Sequence, residues 1–291
     1  MRSTMSNRRI AVLIDGGFFL KRLPRLVSPG RCDGASGIAK CITELCRNHI
    51  RKLTGDEGSR WIQHLYRTFF YDALPYDGTA HHPIENRLIQ FGKSDLAGQR
   101  LALFETLRKQ RKLALRLGKV TRQGSEWSID PRLTKKMLRM REWMAAIGPF
   151  DSIMQQSDPI SLSLTREQAL QLVQLQGFWQ GLERNAVSLN LRQKGVDMRI
   201  GIDIASLALK RQVDTIVLVA GDSDFVPAAK LARREGIDFI LDPLWQDVND
   251  DLHEHIDGLQ SGLPKPTNTP TVAAASAPLV PTTDPEQANG P

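Results

Sequence analysis

The stretch TIVLVAGDSDFVPAAKLARREGIDFIL, residues 215–241, decides the fold class of this chain. It predicts a strand over residues 215–220, a turn at 221–224, a helix over 225–234 that Gly236 ends, and a second strand over 237–241. The strands are continuously apolar rather than alternating, which is typical of strands covered on both faces. Strands that alternate with helices predict an α/β fold with a doubly wound parallel sheet.

The same pattern extends toward the N-terminus. A continuous apolar run over residues 9–14 predicts the first strand, which stops at Asp15-Gly16-Gly17, and a helix follows from Phe18. Further predicted elements are helices over residues 41–53 (ended by Gly55), 101–109, 197–211 and 247–259, and strands over 61–71 and about 113–117.

Two segments stand apart from this α/β pattern. The sequence predicts a helical insertion over about residues 125–186, with helices near 131–146 and 165–184. Pro131 suits the first helical position, and Thr165 with Gln168 forms a capping box. Residues 263–291 hold 7 of the 16 prolines, and half of their other residues are Ala, Thr and Ser. We therefore predict one domain over residues 1–262 and a disordered tail over 263–291.

Composition excludes several classes of protein. No apolar run reaches the roughly 18–20 residues of a membrane span. The N-terminus lacks the long apolar core of a signal peptide, which favours a cytoplasmic protein. Cys32, Cys41 and Cys46 have no CxxC spacing, which argues against a zinc site or a disulfide framework. The formal charge of +7 favours an acidic partner such as a polyanion over a basic peptide.

Acidic residues follow two of the predicted strands. Asp15 ends the first strand, and Asp222 and Asp224 follow the strand over residues 215–220. Ligands of open parallel sheets bind at the carboxyl ends of the strands, so these three side chains converge if the two strands are neighbours. A hard divalent cation such as Mg²⁺ or Mn²⁺ would relieve their repulsion. Aspartate after a strand is also common as a turn former or helix N-cap. The sequence therefore leaves open whether these residues bind a metal or only cap helices.

A second acidic group lies upstream, in KGVD. Asp197 is a possible N-cap of the next helix, and Asp203 lies six residues further among apolar neighbours, which suggests a buried position near a metal or a basic partner. Lys194 is a candidate to form an ion pair with these acids or to contact a phosphate. The alternative interpretation is an ordinary solvated lysine.

The set formed by IAVLIDGGFF, K-x-VD and GDSDF resembles the NYN domain of LabA-like proteins, within the PIN-like nuclease superfamily. The resemblance implies a PIN-like fold and a ribonuclease dependent on Mg²⁺ or Mn²⁺. Carried over by motif, the candidate catalytic residues are Asp15, Asp197, Asp203, Asp222 and Asp224, with Asp15, Asp222 and Asp224 as metal ligands. Gly16 and Gly17 would let a phosphate approach the backbone closely. Many family members have Asn where this chain has Phe18, and Phe cannot supply the polar contact near the metal or substrate that Asn would make.

Positive charge is concentrated in one segment. Residues 100–142 carry 13 basic and four acidic residues, a pattern that can follow a nucleic-acid backbone. We therefore expect contacts with RNA, in single-stranded form, from Lys194 and from six residues of this segment: Arg108, Lys109, Arg111, Lys112, Arg116 and Lys119.

Three functions remain open from the sequence. The first is a cytoplasmic metal-dependent ribonuclease with no membrane association, either as a single chain or as a homo-oligomer. The second is a catalytically weak RNA-binding or regulatory module that keeps the fold. The third is a Mg²⁺-dependent phosphatase with Asp15 as nucleophile, although DGG lacks the DxD spacing typical of such enzymes.

Overall fold

The computed structural model describes residues 8–146, residue 155 and residues 164–266. The strands are β1 (Ile10–Asp15), β2 (Leu65–Leu74), β3 (Thr79–His82), β4 (Arg87–Gln90), β5 (Leu113–Ile129), β6 (Val187–Lys194), β7 (Thr215–Val219), β8 (Asp238–Asp242) and β9 (Gly258–Leu259). The helices are α1 (Gly16–Leu26), α2 (Pro29–Cys32), α3 (Gly34–Thr54), α4 (Trp61–His64), α5 (Asp95–Arg108), α6 (Pro131–Ala146), α7 (Arg166–Gln180), α8 (Val196–Leu209), α9 (Val226–Arg234) and α10 (Asp250–His253).

A seven-stranded sheet organises the chain, in the order β6-β5-β2-β1-β7-β8-β9. All neighbours are parallel except β5 and β6, which run antiparallel. The predicted α/β class with a doubly wound parallel sheet is confirmed. Since β1 lies between β2 and β7, the strands that end at Asp15 and before Asp222 are neighbours, which is the condition for their carboxylates to lie near each other.

Apolar residues on both faces of the sheet hold the helices in place. In β1, Ile10, Val12 and Ile14 pack under α1, α3 and α5, while Ala11 and Leu13 pack under α8 and α9. All five side chains are fully buried, which explains why the run is continuously apolar. The predicted helix over residues 131–146 is present as α6, and the helix predicted over 165–184 is present as α7 but ends at Gln180. The predicted capping box of Thr165 and Gln168 is present.

Several predicted elements differ from the structure. Residues 61–64 form α4 rather than the start of a strand, and β6 and the β3–β4 hairpin were not foreseen. The predicted helix over residues 247–259 is wrong: only α10 is helical, and residues 258–259 join the sheet as β9. Asp257 explains this ending, because its carboxylate accepts a hydrogen bond from Phe239 N (2.8 Å) and its own N–H donates to Phe239 O (2.8 Å). These bonds fix the chain against β8.

Two expectations reach beyond the residues that the structure describes. Most of the predicted tail, residues 267–291, and the middle of the predicted insertion lie outside them. Within residues 8–146 and 164–266, no helix is both long and apolar enough to cross a membrane.

Candidate functional site

Two helix caps bring acidic side chains to the carboxyl edge of the sheet. Asp15 ends β1 and accepts a hydrogen bond from Phe18 N (3.1 Å), so it caps α1. Asp222 follows β7 and accepts from Asp224 N (3.1 Å), so it caps a short 3-10 helix over Ser223–Phe225. The capping interpretation therefore holds for both residues, and each cap fixes a carboxylate at the edge where parallel sheets bind ligands.

Asp15 lies in a partly buried position that disfavours its charge. Burial is the main cause that raises its pKa from 3.8 to about 6, and the carboxylates of Asp197 and Asp72 raise it further. Hydrogen bonds from the N–H groups of Phe18 and Gly17 partly offset the effect. A carboxylate with a pKa near neutrality at a sheet edge is typical of functional sites.

Asp197 joins this acidic group from the first turn of α8. The pKa of Asp197 is raised by burial and then by the charges of Asp222 and Asp224. Asp197 therefore connects the two strand ends: its charge raises the pKa of Asp15, and the charges of Asp222 and Asp224 raise its own pKa. The prediction that Asp197 is the N-cap of its helix is wrong, because Gly195, with a φ of 78°, holds that position. This left-handed conformation suits glycine, which carries no Cβ.

Asp203 occupies a different environment, between α8 and the sheet. Its Oδ2 accepts hydrogen bonds from the Tyr71 hydroxyl (2.9 Å) and from Arg116 Nε (3.1 Å). The Arg116 guanidinium also lies over the ring of Phe69. Burial raises the pKa of Tyr71, and the Asp203 charge raises it further, which keeps the phenol a hydrogen-bond donor. The basic partner expected for Asp203 is therefore Arg116.

Asp72 is a member of the acidic group that the sequence did not reveal. It lies buried in β2, pairs with Arg100 of α5, and accepts a hydrogen bond from Ala73 N (2.8 Å). Burial raises its pKa despite Arg100, and its charge acts on Asp15. The only sequence signal was an acid within the otherwise apolar run FFYDAL.

The glycines after Asp15 serve different purposes. A Cβ at Gly16 would lie 2.5 Å from Tyr71 O and 2.7 Å from the Phe70 ring, so Gly16 lets α1 pack closely against β2. A Cβ at Gly17 would meet only Asp15 Oδ1 (3.4 Å) and Gln193 Oε1 (3.9 Å). Gly17 is thus the glycine with open space at the acidic edge.

The carboxylates have the chemistry that a hard cation requires, because Mg²⁺ and Mn²⁺ prefer oxygen ligands. Within the described residues, however, no three His, Cys, Asp or Glu side chains are arranged so that they could hold a metal ion together. The oxygen donors are therefore of the type that Mg²⁺ or Mn²⁺ prefers, and a cation would relieve the repulsion between their charges. Their side-chain positions in this structure do not form a metal site.

Six of the seven predicted RNA-binding residues fall into two groups, and the seventh, Arg116, pairs with Asp203. Lys119 and Lys194 lie directly opposite one another across β5 and β6, at the carboxyl edge, and both are exposed. Like charges in direct cross-strand pairs destabilise a sheet, so a polyanion would relieve this pair. Four others lie at the opposite, amino edge, at or before the start of β5: Arg108, Lys109, Arg111 and Lys112. Lys112 donates hydrogen bonds to Ile62 O (2.9 Å) and to Leu65 O, which ties it to the α4–β2 junction.

We expect the substitution Asp15→Asn to stabilise the metal-free protein by up to about 3 kcal/mol near pH 7.5, since one pKa unit corresponds to about 1.4 kcal/mol. The raised pKa means that the folded state binds the acid proton more tightly than the unfolded state. The resulting stabilisation is present below about pH 4 and is lost as the pH rises through about 6. Asparagine carries no charge and preserves the helix cap.

Urea unfolding in EDTA tests this expectation. The advantage of the Asp15→Asn variant should fall by about half between about pH 7.5 and pH 5. Asp15→Ala is the matched comparison, because it removes the charge and the cap together and should gain about 1 kcal/mol less. An Asp15→Asn variant less stable than the wild type at pH 7.5 would contradict the expectation.

The mostly parallel sheet with an acidic carboxyl edge defines an α/β domain. Residues 155–251, a third of the chain, match the family model of the NYN domain, which confirms the resemblance over that range. The NYN domain is a PIN-like nuclease family, and the family implies an RNA substrate and typically binds metal. The matched range includes Asp197, Asp203, Asp222 and Asp224, while Asp15 lies outside it.

One solved structure is similar across most of the chain. It is a protein of unknown function, VPA0982, from Vibrio parahaemolyticus, with 12% sequence identity and a TM-score of 0.34. The similarity covers 89% of this chain and 94% of that one. No curated protein matches the chain.

Proposed function

We propose that this chain is a cytoplasmic, metal-dependent ribonuclease that hydrolyses phosphodiester bonds of single-stranded RNA. One observation carries the proposal: the adjacent strands β1 and β7 bring Asp15 and Asp222 to the carboxyl edge, where the charge of Asp197 raises the pKa of Asp15. The charges of Asp222 and Asp224 in turn raise the pKa of Asp197. Carboxylates held close without a cation destabilise a fold, and such groups are typical of sites that bind one. The NYN match supplies the expected class of substrate.

The proposed roles follow from where each carboxylate is fixed. Asp15 and Asp222, each held by a backbone N–H at a strand end, would hold Mg²⁺ or Mn²⁺, and Asp224 would complete the ligand set. Asp197 would orient water from the first turn of α8. When bound, the ion would activate water and neutralise charge on the phosphodiester. Asp203 is proposed to act through Tyr71 and Arg116, which it contacts, rather than on the substrate.

The path of the RNA would follow the positive pair beside the acids. Lys194 lies three residues before Asp197 in the chain, and Lys119 lies opposite Lys194 on the neighbouring strand. A third basic residue, Arg192, is close enough for its charge to lower the pKa of Asp197. Basic groups beside an acidic centre let a polyanion approach despite the repulsion from the carboxylates. The open Cβ side of Gly17 is the proposed point of backbone approach to a phosphate.

The direct test is cleavage of an end-labelled single-stranded RNA by the full chain. We expect cleavage with Mg²⁺ or Mn²⁺ and none in EDTA, because the carboxylates alone supply no activated water. The reaction should be repeated with the same sequence as double-stranded RNA and as DNA to establish the class of substrate. Cleavage that persists in EDTA would contradict the proposal.

One observation favours a second function, which is RNA binding without appreciable catalysis. Phe18 lies against Gly221, such that a Cβ at position 221 would be 2.5 Å from its ring. The apolar ring of Phe18 thus lies at the acidic edge, at the position where many family members have the side-chain amide of Asn. Salt-dependent binding of RNA with no cleavage in either metal would support this regulatory function instead.

A further inference from the structure

A cleft opens at the carboxyl edge of the sheet, beside the acidic group. The residues that line it come from the end of β2, the first turns of α5, and the neighbouring strands β5 and β6. Its polar lining includes Asp72, Arg100 and Gln193, and most of its other lining residues are apolar, among them Tyr76, Phe91, Leu96, Val120 and Leu191. An apolar cleft with a few polar groups is the usual form of a site that binds a small ring compound.

Two aromatic rings line the cleft from the segments that flank the β3–β4 hairpin. The rings of Tyr76 and Phe91 contact edge to face, with centroids 5.6 Å apart. Phe91 is buried, whereas Tyr76 is only partly buried, so its ring is held by packing and still reaches solvent. Partly exposed aromatic rings are the surfaces on which bases of single-stranded RNA stack.

The charges inside the cleft cancel. Arg100 pairs with Asp72, whose carboxylate also accepts a hydrogen bond from Ala73 N (2.8 Å). The Arg100 side chain is 25% exposed, and Asp72 is its one hydrogen-bond acceptor among the residues described. The remaining guanidinium N–H groups are therefore available to a ligand. A neutral, apolar cleft with such donors suits an uncharged ring that carries a carbonyl, and it disfavours a phosphate.

The cleft is continuous with the acidic edge. Gln193 lines the cleft, and its Oε1 would lie 3.9 Å from a Cβ at Gly17. The same Cβ would lie 3.4 Å from Asp15 Oδ1. Asp72 also lines the cleft, and its charge is close enough to raise the pKa of Asp15. A ligand that fills the cleft therefore reaches the open side of Gly17.

Given the proposed ribonuclease function, on which this inference rests, we propose that the cleft binds the base of the nucleotide whose phosphate lies at Gly17, with a preference for pyrimidines. The base would stack on Tyr76, and its carbonyl would accept hydrogen bonds from Arg100 and from the Gln193 amide. The cleft encloses about 80 Å³ and is partly open to solvent. A closed apolar cavity that binds benzene measures about 150 Å³. One six-membered ring, partly exposed, therefore suits the cleft better than the fused rings of a purine.

The test compares two strands of equal length and charge, an oligouridylate of about 12 nucleotides and an abasic strand. Binding is measured by fluorescence anisotropy in Ca²⁺ and again in EDTA, so that the comparison does not require cleavage. The wild type should bind the oligouridylate at least about tenfold more tightly, and Tyr76→Leu should remove about tenfold of this affinity. Leucine keeps apolar packing against Phe91, so affinity for the abasic strand should not change.

Gln193→Ala is the second variant, because Gln193 is exposed and its loss leaves the core untouched. It should weaken binding of the oligouridylate about threefold, as expected for one hydrogen bond, and leave the abasic strand unaffected. Gln63→Ala is the matched control, since Gln63 is equally an exposed glutamine but lies on α4 at the amino edge. Tyr76→Phe keeps the ring and should bind within about twofold of the wild type.

The preference for pyrimidines is tested with oligoadenylate of the same length. Tyr76→Leu should change its affinity by less than about twofold, because a purine is not seated in the cleft. Equal losses for oligouridylate and oligoadenylate would contradict the preference. The comparison is made within each strand, so the self-stacking of adenines cancels.

The outcomes separate this base-binding site from the ribonuclease activity. If the wild type binds the oligouridylate no better than the abasic strand, or if Tyr76→Leu weakens both equally, the cleft is not a base-binding site, whether or not RNA is cleaved. If the losses are specific to the oligouridylate while no metal ion supports cleavage, the base-binding site stands and the ribonuclease proposal fails.

Discussion

Asp222→Asn is expected to lower the rate of RNA cleavage by about a thousandfold, since a metal ion contributes several kcal/mol to stabilising a phosphoryl transition state and each 1.4 kcal/mol is a factor of ten. Asparagine preserves the cap on the 3-10 helix, because its side-chain oxygen still accepts from the N–H of Asp224. The substitution therefore removes charge and leaves the local fold in place.

The control lies at the other end of the same strand. Asp214 precedes β7 at the amino edge, where its carboxylate accepts a hydrogen bond from Arg9 N (2.7 Å). Asp214→Asn changes the net charge equally and should leave cleavage within about twofold, because it is remote from the acidic edge and lies at the surface. Equal losses for the two variants would mean that charge in general, rather than the carboxyl edge, governs the activity.

The substitution Asp203→Asn tests whether Asp203 acts on the substrate directly or only through the residues that it contacts. Asp203 contacts Tyr71 and Arg116, so its loss should reduce cleavage by about tenfold or less, in line with supporting residues elsewhere. Additional Mn²⁺ should restore part of the activity of Asp222→Asn but none of that lost in Asp203→Asn. A thousandfold loss in Asp203→Asn would assign it to the catalytic group that the sequence predicted.

The centre of the fold could be predicted because its signals are local. The runs that form β1, β7 and β8 are apolar at every position, and Gly55 and Gly236 adopt the positive φ expected after a helix. By contrast, β6 has an exposed, polar C-terminal half, and β9 has two residues, so neither carries a pattern that a single sequence can reveal. Their places in the sheet depend on pairing with distant strands.

Some residues of the candidate site could likewise be predicted from local signals in the sequence, and others could not. Asp15 and Asp222 could be located from strand ends alone, because parallel strands align their carboxyl ends. Asp72 could not, since its effect on Asp15 arises from the side-by-side packing of β1 and β2 and from its pairing with Arg100 of α5. The amino-edge position of Lys112 was hidden for a similar reason: charge counts along the chain do not distinguish the two edges of a sheet.

Asp242→Ala is expected to lower the free energy of unfolding by about 3–5 kcal/mol, because it leaves several buried hydrogen-bonding groups without a partner and each such group costs about 1–3 kcal/mol. Asp242 and His49 are both fully buried, and His49 Nε2 lies 2.7 Å from Asp242 Oδ2. The same carboxylate accepts hydrogen bonds from Gly262 N (2.9 Å) and Leu244 N (2.8 Å). Alanine would leave an imidazole and two backbone N–H groups buried without partners.

This loss would loosen a segment whose polar contacts with α3 add to the core packing of Leu263. Residues 258–263 are tied to α3 by polar contacts, including Asn48 Nδ2 to Gly262 O (2.8 Å) and Lys52 Nζ to Ser261 O (2.7 Å). Since small domains are stable by only about 5–15 kcal/mol, the variant should show a large fall in its urea midpoint. The matched variant is Asp238→Ala on the same strand, whose pair with Arg8 is about one third exposed, so it should cost less than about 1 kcal/mol. Equal midpoints for the two variants would show that the buried network does not hold the C-terminal strand against α3.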